Sequence, residues 1–210
     1  MVTIYDLKPR FQALLRPIAR GLVGAGATAN GLTLAALALS LAAGAVVLTV
    51  RPDRLVLLLV LPPVLLVRMA LNALDGMVAR EFGQMSRRGA LLNEMADVLA
   101  DTALYLPLAL VGGIEPVLLS LVVILGVIGE MAGVVAVQIG AERRYDGPLG
   151  KSDRAFLFGL LALLLGIGVP AGPWIQALLL AMAVLGLVTI GNRSRQALRA
   201  VSQLSPKQTP

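Results

Sequence analysis

The chain has 210 residues, of which 58% are hydrophobic and only 14% charged, and its mean hydropathy is +0.86. Soluble domains carry roughly 25% charged residues, so this composition excludes an ordinary water-soluble fold and points to an integral membrane protein. The chain has no Cys and no His, which excludes disulfides, thiolate and imidazole metal sites and the usual general base.

In chain order, residues 4–24 come first. They place Ile4, Leu7, Phe11, Leu14, Leu15, Ile18 and Leu22 at helical spacing with basic residues between them. That is the pattern of an amphipathic helix lying in the membrane interface, although a solvated basic lead-in would read similarly. Lys8, Pro9, Arg10, Arg16, Pro17 and Arg20 break up the apolar positions, so no signal peptide is expected. Apolar runs follow at about 31–50, 54–75, 89–113, 115–138, 154–170 and 172–191, near the roughly 20 residues that cross a bilayer. Asn30 and Thr33 are expected to start the first run. Pro62 and Pro63 are expected to bend or break the second.

Gly147-Pro148-Leu149-Gly150-Lys151-Ser152 ends like a phosphate-binding loop. Tyr145 stands where the first Gly of that motif belongs, and no parallel-sheet unit follows, so the reading is rejected. Trp174 reads as an interfacial anchor, and the tail after about Arg199 is polar and expected to fray. Fifteen of the 18 Lys and Arg residues fall on one side of this layout, with Arg51 and Arg54 on the other and Arg68 inside the second run. The expected fold is therefore all-α: six transmembrane helices preceded by an N-terminal amphipathic interfacial helix, both termini cytoplasmic. It is expected as one domain over 1–210, with 1–28 juxtamembrane, about 29–192 the bundle and 193–210 a basic polar tail. The net charge of +6 follows this topology and gives no reason to expect nucleic acid.

The chemistry concentrates where the second run ends and the third begins. Asp75-Gly76-Met77-Val78-Ala79-Arg80 is followed by eight residues and Gly89, after which Asn93, Asp97 and Asp101 recur one helical turn apart. Carboxylates in lipid are costly, so several facing one another argue for a function, most simply holding a cation. At about 1.5 Å per residue, Asp75 is level with Asn93 and Asn72 with Asp97, while Asp101 lies about a turn deeper. Oxygen donors on two helices suit one or two hard divalent ions, Mg²⁺, Mn²⁺ or Ca²⁺. Gly76 and Ala79 leave a bare strip where a nucleotide or another backbone can approach. Arg80 offers planar donors to a pyrophosphate, and free backbone donors near Gly89 would favour an anion.

These residues resemble the signature of the CDP-alcohol phosphotransferases, D-x2-D-G-x2-A-R-x8-G-x3-D-x3-D, with Asn72 and Asn93 at the first and third acidic positions. The resemblance implies a membrane transferase in phospholipid biosynthesis. It would move a phosphatidyl-type group from CDP-diacylglycerol to a small alcohol and release CMP, with Mg²⁺ or Mn²⁺ as cofactor. It implies that Gly76, Ala79, Arg80 and Gly89 contact the cytidine diphosphate, that Asn72, Asp75, Asn93 and Asp97 face the metal, and that Asp97 serves as ligand or catalytic base. It further implies a homodimer among membrane lipids, in a bacterial inner membrane with the active site facing the cytoplasm. Two Asn in place of carboxylates lower the site's charge, so a non-catalytic homologue that binds CDP-lipid or assists assembly is the alternative. A transporter is disfavoured, because a carrier has no need of the Asp-Gly-Ala-Arg grouping.

Outside the signature, Glu94 lies about 100° round the helix from Asn93. Glu130 suits either an acceptor pocket or a helix–helix contact. Arg68 is expected to pair with Asp101 or Glu130. Arg143, Arg144, Lys151 and Arg154 suit either a phosphorylated acceptor or the positive-inside rule alone.

Overall fold

The computed structural model describes residues 4–204, and among these the chain is helical with no strand. Seven α-helices run in order: α1 Ile4–Gly24, α2 Ala29–Val47, α3 Leu61–Glu81, α4 Arg87–Tyr105, α5 Pro116–Val135, α6 Lys151–Gly166 and α7 Pro173–Leu204. Short 3₁₀ segments occupy Pro52–Val60, Leu106–Leu110 and Ala136–Ile139. Four stretches are long and apolar enough to cross a membrane: Ala29–Val47, Asp53–Glu81, Pro116–Ile139 and Pro173–Gln203. Of the other two expected crossings, α4 carries Arg87, Arg88, Glu94, Asp97 and Asp101, and α6 has only 16 residues.

The chain forms two compact units, residues 1–46 with 60–104 and residues 47–59 with 105–210. In the first, α1 packs along α3, with Leu15 and Ala19 against Leu74, Met77 and Val78. Arg16 closes the contact, its Nε and Nη2 each 3.0 Å from a Glu81 oxygen. The Glu81 carboxylate holds the Arg16 guanidinium further above its ordinary range. Both partners are part-exposed, so this pair adds little beside the apolar contact. Leu14 and Ile18, on the other side of α1, are exposed. The side chains of residues 4–12, including Ile4, Leu7 and Phe11, lie outside the described set, as does Lys207.

Three boundaries are set by local physical causes. The α2 helix begins at Ala29 rather than at Asn30 or Thr33, because Thr28 Oγ1 accepts from Gly31 N at 3.0 Å and Gln84 Oε1 accepts from Ala29 N at 2.8 Å. Pro62 and Pro63 break the second run where the 3₁₀ segment Pro52–Val60 gives way to α3, and they bend no helix midway. They sit in the first turn of α3, where their missing N–H groups leave no bond unmade. The α7 helix does not fray at Arg199 but continues to Leu204.

In the second unit, α5 and α7 pack together, and Glu115 caps α5 by accepting from Val117 N at 3.2 Å. Tyr105 stacks on Phe158 with ring centroids 4.2 Å apart. Leu149 N donates to Thr189 Oγ1 at 2.9 Å, and Gly150 N to Asp153 Oδ2 at 2.8 Å. Two of the backbone donors that a phosphate loop would present are thus already used.

Close backbone approach is required where α2 meets α4. A Cβ on Gly44 would fall inside the contact distance of the Ala103 carbonyl oxygen. Gly44→Ala should therefore cost about 1–3 kcal/mol, read as a lower unfolding midpoint of the detergent-purified protein. Gly21→Ala, where a Cβ meets nothing within 4 Å, should not lower it.

Candidate active site

Within the first unit, α2, α3, α4 and the α3–α4 turn enclose a cavity of about 160 Å³. The α3 helix contributes Asp75, Gly76 and Ala79, and α4 contributes Gly89 and Asn93. Spacings of three and four residues keep each set on one helix face. The α2 helix adds Asn30 and Thr33, and the turn adds Gln84 and Ser86. Five of the residues singled out from sequence therefore share one hollow.

Asp75 is 6% exposed and accepts from Thr33 Oγ1 at 2.8 Å. Gly76 is bare for a reason visible beside it. A Cβ there would lie 3.2 Å from Arg80 Nη1 and 3.3 Å from Nη2, so the guanidinium folds back over the glycine at the exposed end of α3. At Gly89 a Cβ would lie 2.7 Å from Asn30 Oδ1. The free backbone donors expected near Gly89 do not include its own. Its N–H donates to Ser86 Oγ at 2.9 Å, since Ser86 caps α4. What Gly89 supplies is space.

Asn72 and Asp97 do not line the cavity. They meet one another on the adjacent turns of α3 and α4, Asn72 Nδ2 donating to Asp97 Oδ1 at 3.3 Å; which amide atom faces the carboxylate is assigned from hydrogen bonding. Beneath them Arg68, 1% exposed, reaches from α3 to α4. Its Nη1 is 2.7 Å from Asp101 Oδ1, and its Nη2 is 3.7 Å from Asp97 Oδ1 and donates to the Asp97 carbonyl at 3.2 Å. Of the two partners weighed for Arg68, Asp101 is the one it takes.

Glu130 belongs to the second unit, where three guanidiniums converge on it: Arg154 at 3.1 Å, Arg143 at 3.4 Å and Arg193 at 3.4 Å. Arg193 also donates to the Gly129 carbonyl. Arg144 pairs instead with Asp146 at 2.8 Å. These contacts make Glu130 a junction of α5, α6 and α7. Sequence reading had no signal that would bring Arg193 to it, and it likewise read Asn30 and Thr33 only as helix starters.

No three carboxylates converge on one point among the described residues. The donors that do gather are carboxylates and side-chain amides, and the chain has neither Cys nor His, so the set fits a hard divalent cation. The Arg68 guanidinium between Asp97 and Asp101 shows that this cluster accepts positive charge.

Residues 27–190 match the family described as CDP-alcohol phosphatidyltransferase. The chain is 46% identical over 197 residues to "Inner membrane protein YnbA" of Escherichia coli (strain K12), covering 94% of this chain and 97% of that protein. It is also similar in fold to Mycobacterium tuberculosis phosphatidylinositol phosphate synthase (PgsA1). The crystal structure of that enzyme with CDP-DAG bound superposes with a TM-score of 0.67 at 22% identity, covering 88% of this chain and 92% of that one. Its complex with manganese and citrate gives 0.68 at 22% identity, covering 91% and 90%.

The Thr33–Asp75 bond is open to a direct check. Thr33→Val keeps the shape but removes a hydrogen bond to a buried carboxylate, which should cost about 1.5–3 kcal/mol. The unfolding midpoint without divalent ions should fall in Thr33→Val and hold in Thr33→Ser.

Proposed function

Since the chain belongs to the CDP-alcohol phosphatidyltransferase family, we propose that it moves a phosphatidyl-type group from CDP-diacylglycerol to a small alcohol and releases CMP. The observation that carries this reading is the single cavity lined by Asp75, Gly76, Ala79, Gly89 and Asn93, with the Arg80 guanidinium folded over Gly76 at its edge. Small residues admit the nucleotide. Arg80 meets the pyrophosphate with a planar set of donors.

Asp75 and Asn93, with Asn72 and Asp97 a turn deeper, would hold the cation. A bound Mg²⁺ or Mn²⁺ there would offset pyrophosphate charge and stabilise the charge that builds on the transferring phosphorus. Asp97 takes the proton from the incoming hydroxyl. As the new bond forms between that oxygen and the lipid-bearing phosphorus, the bond to the bridging oxygen breaks and CMP leaves with it. Thr33 keeps Asp75 aimed, and Asn72 does the same for Asp97.

The chain is an integral membrane protein, and we read it as crossing six times. The α4 helix joins the four long stretches by turning Asp97 and Asp101 toward Arg68 rather than toward lipid. The α6 helix, 16 residues and about 24 Å long, crosses with help from its flanking segments. Six crossings return both ends to one side, and the Lys and Arg count makes that side cytoplasmic. The exposed Leu14 and Ile18 give α1 an apolar face for the interface.

Asn72 and Asn93 favour one other reading, a homologue that binds CDP-lipid without turnover. The two separate in an assay of CMP release from CDP-diacylglycerol with Mg²⁺ or Mn²⁺ over a panel of alcohols and alcohol phosphates. Release should depend on one acceptor and on the cation, and it should drop roughly 100-fold or more in Asp97→Asn, the scale of a lost general base. Turnover without a divalent cation would sink the mechanism. CDP binding with no turnover across the panel would favour the non-catalytic homologue.

A further inference from the structure

The cavity of the first unit changes character from floor to mouth. Asp75, bonded to Thr33, gives it an acidic floor. One turn toward the start of α2 from Thr33, two neutral amides wall the mouth, Asn30 and Gln84. A neutral amide does little for the charge of a diphosphate. It does match the edge of a nucleobase, which proteins read by individual hydrogen bonds. Met85, 73% exposed, lines the same mouth, and a thioether there gives an aromatic ring an apolar surface to lie on.

Two backbone constraints place Gln84. Gly83 takes the left-handed conformation at φ +68°, and Gln84 N donates to the Ala79 carbonyl at 3.0 Å. The α3 helix thus ends in a turn that brings the Gln84 side chain back to the start of α2, where its Oε1 accepts from Ala29 N at 2.8 Å. A backbone N–H can only donate, so the orientation of this amide is fixed. Its oxygen is used on α2. Its Nε2 has no partner among the described residues and is left as a donor at the cavity wall. The Asn30 amide bonds to no described residue and can turn to accept as well as to donate.

We propose that Gln84 selects the nucleobase, its Nε2 donating to the ring acceptor N3 of cytosine while Asn30 accepts from the exocyclic amine. Uracil carries an N–H at that ring position, which sets donor against donor and leaves both unpaired. A site built to bond a group rejects an analogue that lacks it. Gln84 touches no reacting atom and is a specificity-determining residue. The proposal rests on the nucleotide reading of the cavity and assigns the group that tells one nucleotide from another.

The test is isothermal titration of the detergent-purified full chain with CDP and with UDP, both with Mn²⁺ present. The wild type should favour CDP by about tenfold or more, the scale of one hydrogen bond. Gln84→Glu turns the outward donor into an acceptor that suits uracil, so the CDP-to-UDP affinity ratio should fall about tenfold. The added charge repels both diphosphates alike and cancels in that ratio. An unchanged ratio in a folded Gln84→Glu would overturn the proposal, as would equal affinities in the wild type. If Gln84→Glu does not fold, a change in the ligand decides. The 3-deaza analogue of CDP, with C–H in place of N3, should bind the wild type about tenfold more weakly than CDP; equal binding would overturn the proposal. Binding of neither CDP nor UDP would overturn it too, but by removing the nucleotide site itself, a result distinct from binding both equally.

Discussion

Charge buried among apolar helices has to be compensated where it stands, and in this protein guanidiniums do most of that work. An ammonium or guanidinium stranded in hydrocarbon, or a carboxylate without a partner, is costly enough to decide which helices lie together. In the first unit Arg68 ties α3 to Asp97 and Asp101 of α4. In the second, Arg154 and Arg193 tie α6 and α7 to Glu130 of α5. Such pairs are poor sources of net stability compared with well-packed apolar residues. Their value is geometric: Leu, Ala and Val allow many registers between two helices, whereas a buried ion pair allows very few.

The two clusters differ in the sign left over. Around Glu130 three guanidiniums face one carboxylate, and around Arg68 the carboxylates are in excess. An excess of acid beside a cavity lined by Gly76, Ala79 and Gly89 is suited to drawing in a cation and then a phosphate-bearing ligand. An excess of base around a carboxylate that is itself a helix junction is suited first to holding the junction.

Much of this was legible in the sequence, because the relevant signals are local. The spacing of Asn72, Asp75, Asn93 and Asp97 put them on facing stripes, and depth counting paired Asn72 with Asp97 as the structure does. Helix ends were less legible, since they turn on single hydrogen bonds. Thr28 rather than Asn30 caps α2, and Ser86 caps α4 by accepting from the Gly89 N–H. Pro62 and Pro63 were legible as a break, and it falls where a 3₁₀ segment gives way to α3. The partners of Glu130 were out of reach. Arg193 lies 63 positions away, and no period in the sequence links the two.

The α7 helix has a consequence of another kind. It runs unbroken for 32 residues, and its apolar stretch lies between Trp174, whose Nε1 donates to the Pro170 carbonyl at 3.0 Å, and Arg193, held by Glu130 and the Gly129 carbonyl. The two lie 19 positions apart on the helix, about 28 Å along the axis, close to the roughly 30 Å hydrocarbon thickness of a bilayer. With both ends fastened, that length cannot adjust by sliding or fraying. The protein therefore carries a fixed gauge, and in a thinner or thicker membrane the lipid has to deform around it.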